Sequence, residues 1–225
     1  MSLNTALDNN NVSISGKVFS CPEFSHEVYG EGFYIVYIQV PRLSDTYDNI
    51  PVMFSERLVR PEDINEQLHL SVEGQFRSYN NFNSNSGHKL MLTVFAREIE
   101  VYEEEVTHKN PNQIVLNGYV CRKPMYRTTP FGREIADILL AVNRAYNKSD
   151  YIPCIAWGRN ARYAGSFEVG DNIRLWGRIQ SRVYQKKLAD EQIEERIAYE
   201  ISVSKMEIVK ENNNKKDEEE DEKGE

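Results

Sequence analysis

Two stretches of the chain place aromatic rings and cations on one side of an extended backbone. From Asp150 the order is Asp-Tyr-Ile-Pro-Cys-Ile-Ala-Trp-Gly-Arg, ending at Arg159. Side chains of a strand alternate between its two faces. Ile152, Cys154 and Ala156 therefore share one side, small and apolar, suited to a core. Tyr151, Ile155 and Trp157 share the other with Pro153, and Arg159 follows. In Gly177–Tyr184, Arg178, Gln180, Arg182 and Tyr184 fall on one side, and Ile179, Ser181 and Val183 on the other. Rings stack on nucleobases at about 1–3 kcal/mol each, and cations track phosphates. This is chemistry for holding a single strand of nucleic acid. The same residues would equally line a sheet face or a subunit contact. For Arg178 and Arg182 the plain alternative is a surface ion pair with Glu194 or Glu195. Lys186 and Lys187 follow in a charged excursion, and Arg122, Lys123, Arg127 and Arg133 form a second basic group around a bend. Trp176, beside Gly177, reads as a core or interface residue.

Other chemistries lack their residues. Cys21, Cys121 and Cys154 are an odd number with no close pair, unlike a disulfide framework or a zinc site. His26, His69, His88 and His108 stand apart from one another, and all precede residue 109. Neither a Gly-rich phosphate loop ending in Lys-Ser/Thr nor a Gly-x-Ser-x-Gly elbow occurs. The expectation is a protein that is not an enzyme, with no cofactor, no metal and no small-molecule substrate. No run of 18 apolar residues is present, so no membrane span is expected. Met1 to Asn11 is polar and lacks the pattern of a secretory signal, which points to a reduced, cytoplasmic protein.

The net charge of −8 looks wrong for a nucleic-acid binder until it is divided. Residues 1–108 hold 7 Lys/Arg against 16 Asp/Glu, residues 109–210 hold 17 against 11, and residues 211–225 hold 3 against 8. The acidity hides a basic second half, and both stretches described above lie in it.

The chain also repeats itself. A shift of 102 aligns residues 10–55 with 112–157 without a gap. The identities are Asn10/Asn112, Gly16/Gly118, Val18/Val120, Pro22/Pro124, Gly30/Gly132, Val40/Val142, Arg42/Arg144, Asp48/Asp150, Ile50/Ile152 and Pro51/Pro153. A shift of 103 then pairs Gly74 with Gly177 and Ser78 with Ser181, and one of 107 pairs Ile99-Glu100-Val101 with Met206-Glu207-Ile208. One module of about a hundred residues occurs twice.

Each copy reads as all-β. In the second, strands are expected over Ile114–Val120, Ile135–Asn143, Asp150–Arg159, Ile173–Tyr184 and Ala198–Val209. A loop is expected over Arg122–Gly132, a short helix over Asn160–Phe167 and a hairpin excursion over Lys186–Arg196. In the first, strands are expected over Val12–Phe19, Phe33–Val40, Ile50–Phe54, Leu68–Tyr79 and Lys89–Tyr102, with helix-forming residues at Pro61–Gln67. Five strands with a short helix between the third and fourth is the layout of an OB-fold, a small Greek-key barrel. The organisation is thus two tandem OB-fold barrels. An acidic module spans residues 10–103, a basic one 111–210, and a tail of 211–225 without apolar residues should be disordered.

The second module resembles the bacterial single-stranded DNA-binding protein family from Asn112 to Val209. The resemblance rests on Asn112–Gly118, the Gly132 bend, Leu140–Tyr146, Asp150–Arg159, Gly170-Asp171 and Gly177–Arg182. It implies base stacking on Tyr146, Tyr151, Trp157 and Tyr184. Module 1 departs from the pattern. Asn49 and Ser55 match Tyr151 and Trp157, and Asn80 and Asn81 stand near the Tyr184 position, so it reads as degenerate. The tail departs too, ending Glu-Lys-Gly-Glu without the hydrophobic tip by which the family recruits replication proteins.

The resemblance implies single-stranded DNA binding with little sequence preference, in replication, repair and recombination at the bacterial nucleoid. The expected contacts are Tyr146, Tyr151, Trp157, Arg159, Arg178, Arg182, Tyr184, Lys186, Arg122 and Arg133. Family members commonly assemble four barrels, so two per chain imply a homodimer. An OB-fold scaffold of replication or mobile-element machinery, and an RNA-binding OB-fold, remain open on the residues alone.

Overall fold

Apolar alternation closes each half of the chain on itself. The computed structural model describes residues 9–42, 44, 46–81, 89–106, 109–187 and 193–209, with backbone only at 79–81, 89–90 and 186–187. The first half forms β1 (Asn10–Val18), β2 (Glu23–Val28), β3 (Glu31–Pro41), β4 (Tyr47–Ser55), β5 (His69–Asn81) and β6 (Lys89–Tyr102). The second forms β7 (Asn112–Val120), β8 (Met125–Thr128), β9 (Glu134–Arg144), β10 (Lys148–Trp157), α1 (Arg159–Ala164), β11 (Asn172–Lys187) and β12 (Ile193–Ile208). The tail at 211–225, the chain start at 1–8 and the side chain of Lys186 fall outside the described residues.

Five strands close the first barrel. β1 pairs with β3 and β5, β3 with β4, β5 with β6, and a short parallel contact joins β4 to β6. β7, β9, β10, β12 and β11 close the second in the same way. The offsets legible in the sequence map one set of pairings onto the other. Lys17↔Gln39 becomes Tyr119↔Ala141 at 102, Val12↔Gly74 becomes Ile114↔Gly177 at 102 and 103, and Val52↔Val94 becomes Cys154↔Ile201 at 102 and 107.

Glycine is required where the barrels close. A Cβ on Gly16 would stand 2.2 Å from the Gln39 carbonyl oxygen, and one on Gly118 would stand 2.4 Å from that of Ala141. Inside, Val36, Ile38, Val52, Phe54 and Phe76 fill one barrel, and Leu140, Ile152, Leu175, Ile179 and Ile201 the other. Each such fully buried side chain contributes about 1.5–3 kcal/mol.

Two expectations are corrected. Arg122–Gly132 is not wholly a loop: Met125–Thr128 pairs with β9, as β2 pairs with β3 in the first module. Both strands lack a buried face, so they show no apolar alternation to read. The helix is shorter than Asn160–Phe167, with Gly165 as its C-cap, and Pro61–Gln67 yields only a 3-10 turn at Pro61–Asp63.

The modules are joined by an antiparallel pairing of β1 with β7, from Asn10↔Leu116 to Ile14↔Asn112. A reciprocal contact reinforces it. The buried carboxylate of Asp48 in module 1 accepts the Ser181 N–H (2.6 Å) and hydroxyl (2.9 Å) of module 2. Asp150 of module 2, also buried, accepts the Ser78 N–H (2.8 Å) and hydroxyl (3.1 Å) of module 1. Arg42 grips Asp48 with two nitrogens and donates to the Ser181 carbonyl at 2.8 Å. Arg144 stands 3.5 Å from Asp150. Three identities of the repeat, Arg42/Arg144, Asp48/Asp150 and Ser78/Ser181, are therefore the residues facing the other module.

Candidate nucleic-acid interface

The stretch from Asp150 folds as β10, between β9 and β12. Ile152, Cys154 and Ala156 point into the barrel and are buried. Burial pushes the Cys154 thiol far above its ordinary range, helped by the nearby Glu200 carboxylate. On the outer face Tyr151 is 51% exposed and Trp157 is 40% exposed. Ile155, on that same face, is buried, a departure from the open face that alternation suggests. Asp150 is drawn into the junction between modules.

Directly opposed residues of neighbouring strands present their side chains on the same face. One row of the outer face runs Arg127, Ile135, Trp157 across β8, β9 and β10. The next runs Met125, Asp137, Ile155, Ser202, Arg178 from β8 to β11. Four residues along the strands from that row, in the same direction, lie Tyr151 on β10 and Arg182 on β11. Tyr184, 37% exposed, is two residues farther. Trp157 and Tyr184 thus bound a face about 26 Å long at ~3.3 Å per residue.

The cations are unequally free. Arg178 is partly exposed and forms no ion pair among the described residues. Arg182 lies 3.3 Å from Glu200, and its guanidinium stands 5.7 Å from the centre of the Tyr184 ring. Glu200 also accepts from Gln180 at 2.8 Å. The ion pair is therefore with Glu200, whereas Glu194 pairs with Arg196 at 2.7 Å. Arg133 and Arg159 are exposed beside the Trp157 end, where the Gly158 N–H donates to the Glu134 carbonyl at 2.9 Å. Tyr146 is 94% exposed in the β9–β10 turn with a left-handed φ of 61°. Arg122 is exposed just beyond the end of β7. Trp176 is partly exposed, with the Lys205 ammonium 4.2 Å from its ring centre.

Residues 111–209 match the model of the Single-strand binding protein family. Single-stranded DNA-binding protein B of Bacillus subtilis is 31% identical over 83 residues, which are 34% of this chain and 74% of that protein. This chain belongs to the single-strand binding protein family. Single-stranded DNA-binding protein 2 of Listeria innocua is 36% identical over 81 residues, which are 33% of this chain and 51% of that protein. The chain spans about half the length of that and several other curated relatives it matches. The fold of the whole chain is similar to the crystal structure of the wild-type single-stranded DNA binding protein from Thermus aquaticus. Its TM-score is 0.70 at 18% identity, covering 90% of this chain and 93% of that one. That likeness supports two barrels in tandem for this member of the family.

Sequence reasoning missed the junction between modules, although Arg42, Asp48, Ser78 and their counterparts were visible as repeat identities. It also missed a ring cluster on module 1. There His26 stacks on Phe33 (5.1 Å, 9°), Phe33 lies 5.9 Å from Phe95, and Arg77 stands 4.3 Å from the Phe95 ring centre.

Proposed function

We propose that this protein binds single-stranded DNA with little sequence preference, and that the outer face of module 2 is the main contact. The observation that supports this best is the exposure of Tyr151, Trp157 and Tyr184 on one ~26 Å face shared with Arg178 and Arg182. Bases stack on the three rings, and Tyr146 offers a fourth beyond the start of β10. Arg178 meets phosphates directly, Arg182 after yielding Glu200, and Arg133 and Arg159 extend the cationic border past Trp157. Lys186 serves the Tyr184 end, and Arg122 adds a cation just beyond the end of β7. The role is non-catalytic, in replication, repair and recombination, at the nucleoid of a bacterial cytoplasm.

Two copies pair into a four-barrel homodimer. The outer face that β6, β5, β1, β7, β11 and β12 share supports this reading. Glu73, Glu98 and Glu100 are exposed on its module 1 half, whereas on its module 2 half Arg174 and Lys205 outnumber Glu207, which pairs with Lys205 at 3.3 Å, so two copies turned about an axis along the strands would set each acidic half against a less acidic one. Light scattering at micromolar concentration should give twice the chain mass; a monomer contradicts the pairing.

Titration of the chain with poly(dT), followed by tryptophan fluorescence, tests the main reading. Quenching that weakens as salt rises is expected. Absence of quenching or binding favours a protein-interaction scaffold, and tighter binding of poly(U) than poly(dT) favours an RNA ligand.

A further inference from the structure

We propose that module 1 contacts the same nucleic acid through a second stacking surface, built on Phe33 and Phe95 and displaced by one strand from the ring positions of module 2. The inference rests on the reading of module 2 given above. Corresponding rows of the two barrels can be laid side by side. Where module 2 has Ile135 and Trp157 on β9 and β10, module 1 has Phe33 and Ser55 on β3 and β4. Where module 2 has Ile155, Ser202 and Arg178, module 1 has Met53, Phe95 and Gln75. The first row keeps one large ring on the outer face, moved to the neighbouring strand. The second row gains a ring on β6.

These rings are not needed to fill the barrel. The interior of module 1 lies on the opposite face, with Val36, Ile38, Val52, Phe54 and Val94 fully buried. Phe33 and Phe95 remain partly exposed. They order a run of flat groups: the His26 imidazole against Phe33, Phe33 beside Phe95, and the Arg77 guanidinium over Phe95. Bases stack on guanidinium planes as well as on aromatic rings, so both ends of the run present a seat.

The run also leads back to module 2. The residue after Arg77 is Ser78, whose hydroxyl oxygen accepts the N–H of Tyr151 at 3.3 Å. Burial, and next the neighbouring Arg144, hold the Arg77 guanidinium below its ordinary value. Asp150, 3.5 Å from Arg144, offsets part of the repulsion between these two cations, and a phosphate passing from Tyr151 towards Phe95 would offset more of it. Acidic neighbours limit what charge adds farther on, since Glu31 accepts from Ser55 and pairs with Arg57 at 3.3 Å. Stacking, rather than phosphate neutralisation, dominates this half of the path.

The experiment compares the full chain with the Phe33→Leu/Phe95→Leu variant, which keeps apolar bulk and removes both rings. Fluorescein-labelled oligo(dT) of about 12 nucleotides, within reach of one barrel, and of about 35 nucleotides, enough for two, serve as probes. The variant should bind the long probe about tenfold more weakly and the short probe unchanged. Circular dichroism melting confirms that it folds, and Arg77→Gln provides a second variant with a smaller loss of the same kind. Long-probe binding equal to the parent's in both variants overturns the proposal, as does an equal loss for both probes. A parent that binds neither probe instead overturns the reading of module 2.

Discussion

Where module 2 shows solvent the indole of Trp157, module 1 buries Ser55 and turns its hydroxyl towards Glu31. Asn49 likewise stands where module 2 has Tyr151. Yet at the junction the modules hold the same arginine, aspartate and serine, and in both the aspartate accepts from the serine of the other module. The difference separates two demands on a duplicated barrel. Residues facing the sister module satisfy buried charge and backbone donors, so either copy is costly to change there. The exposed rings and cations of the outer face do not fill the barrel, so they move between strands without disturbing the closure.

The largest expected effect breaks the frame that the modules share. Asp48→Ala leaves the Ser181 donors and Arg42 without their acceptor, and should cost about 3–5 kcal/mol in a denaturant melt. Asp150→Ala should cost less, because Arg144 holds Asp150 at 3.5 Å with one nitrogen rather than two. Equal losses would contradict the asymmetry of the two contacts.

Next in size, Trp157→Ala should weaken single-stranded DNA binding by about 1–3 kcal/mol, read by anisotropy, with the melt unchanged. Ser55→Ala at the matching position should leave affinity within about twofold. Arg178→Ala should lower the slope of log affinity against log salt by about 0.7, one single-strand phosphate contact. Arg182→Ala should lower it less, since Glu200 already neutralises that cation. The smallest effect is expected at Cys154, whose counterpart in module 1 is the equally buried Val52. Cys154→Val should change stability by less than about 1 kcal/mol. Since burial raises its pKa, the Cys154 thiol should also stay unreactive towards maleimide at neutral pH while exposed Cys21 reacts.

Much of this frame was legible in the residues. The offsets 102, 103 and 107 are those by which the strand pairings of one barrel map onto the other, because a register shift would flip a buried face outward. Ile152, Cys154 and Ala156 announced the interior of β10 by alternation, and Tyr151 and Trp157 its outer face. Strands β2 and β8 were not legible, since a ribbon exposed on both faces has no apolar period. The burial of Ile155 was hidden because alternation assigns a face and not what covers it. The ring surface of module 1 was hidden for a related reason. Phe33 and Phe95 are 62 residues apart in sequence, and only the registers β3–β4, β4–β6 and β5–β6 bring them together.

The chain has two tryptophans on different strands, Trp157 on β10 and Trp176 on β11 beside Lys205, and this allows a direct test. In Trp176→Phe the sole indole is Trp157, and in Trp157→Phe it is Trp176. Oligo(dT) titration should strongly quench the first chain, with recovery on adding salt, and quench the second less although anisotropy shows binding. Binding that quenches Trp176 and spares Trp157 would contradict the assignment of the DNA-binding face.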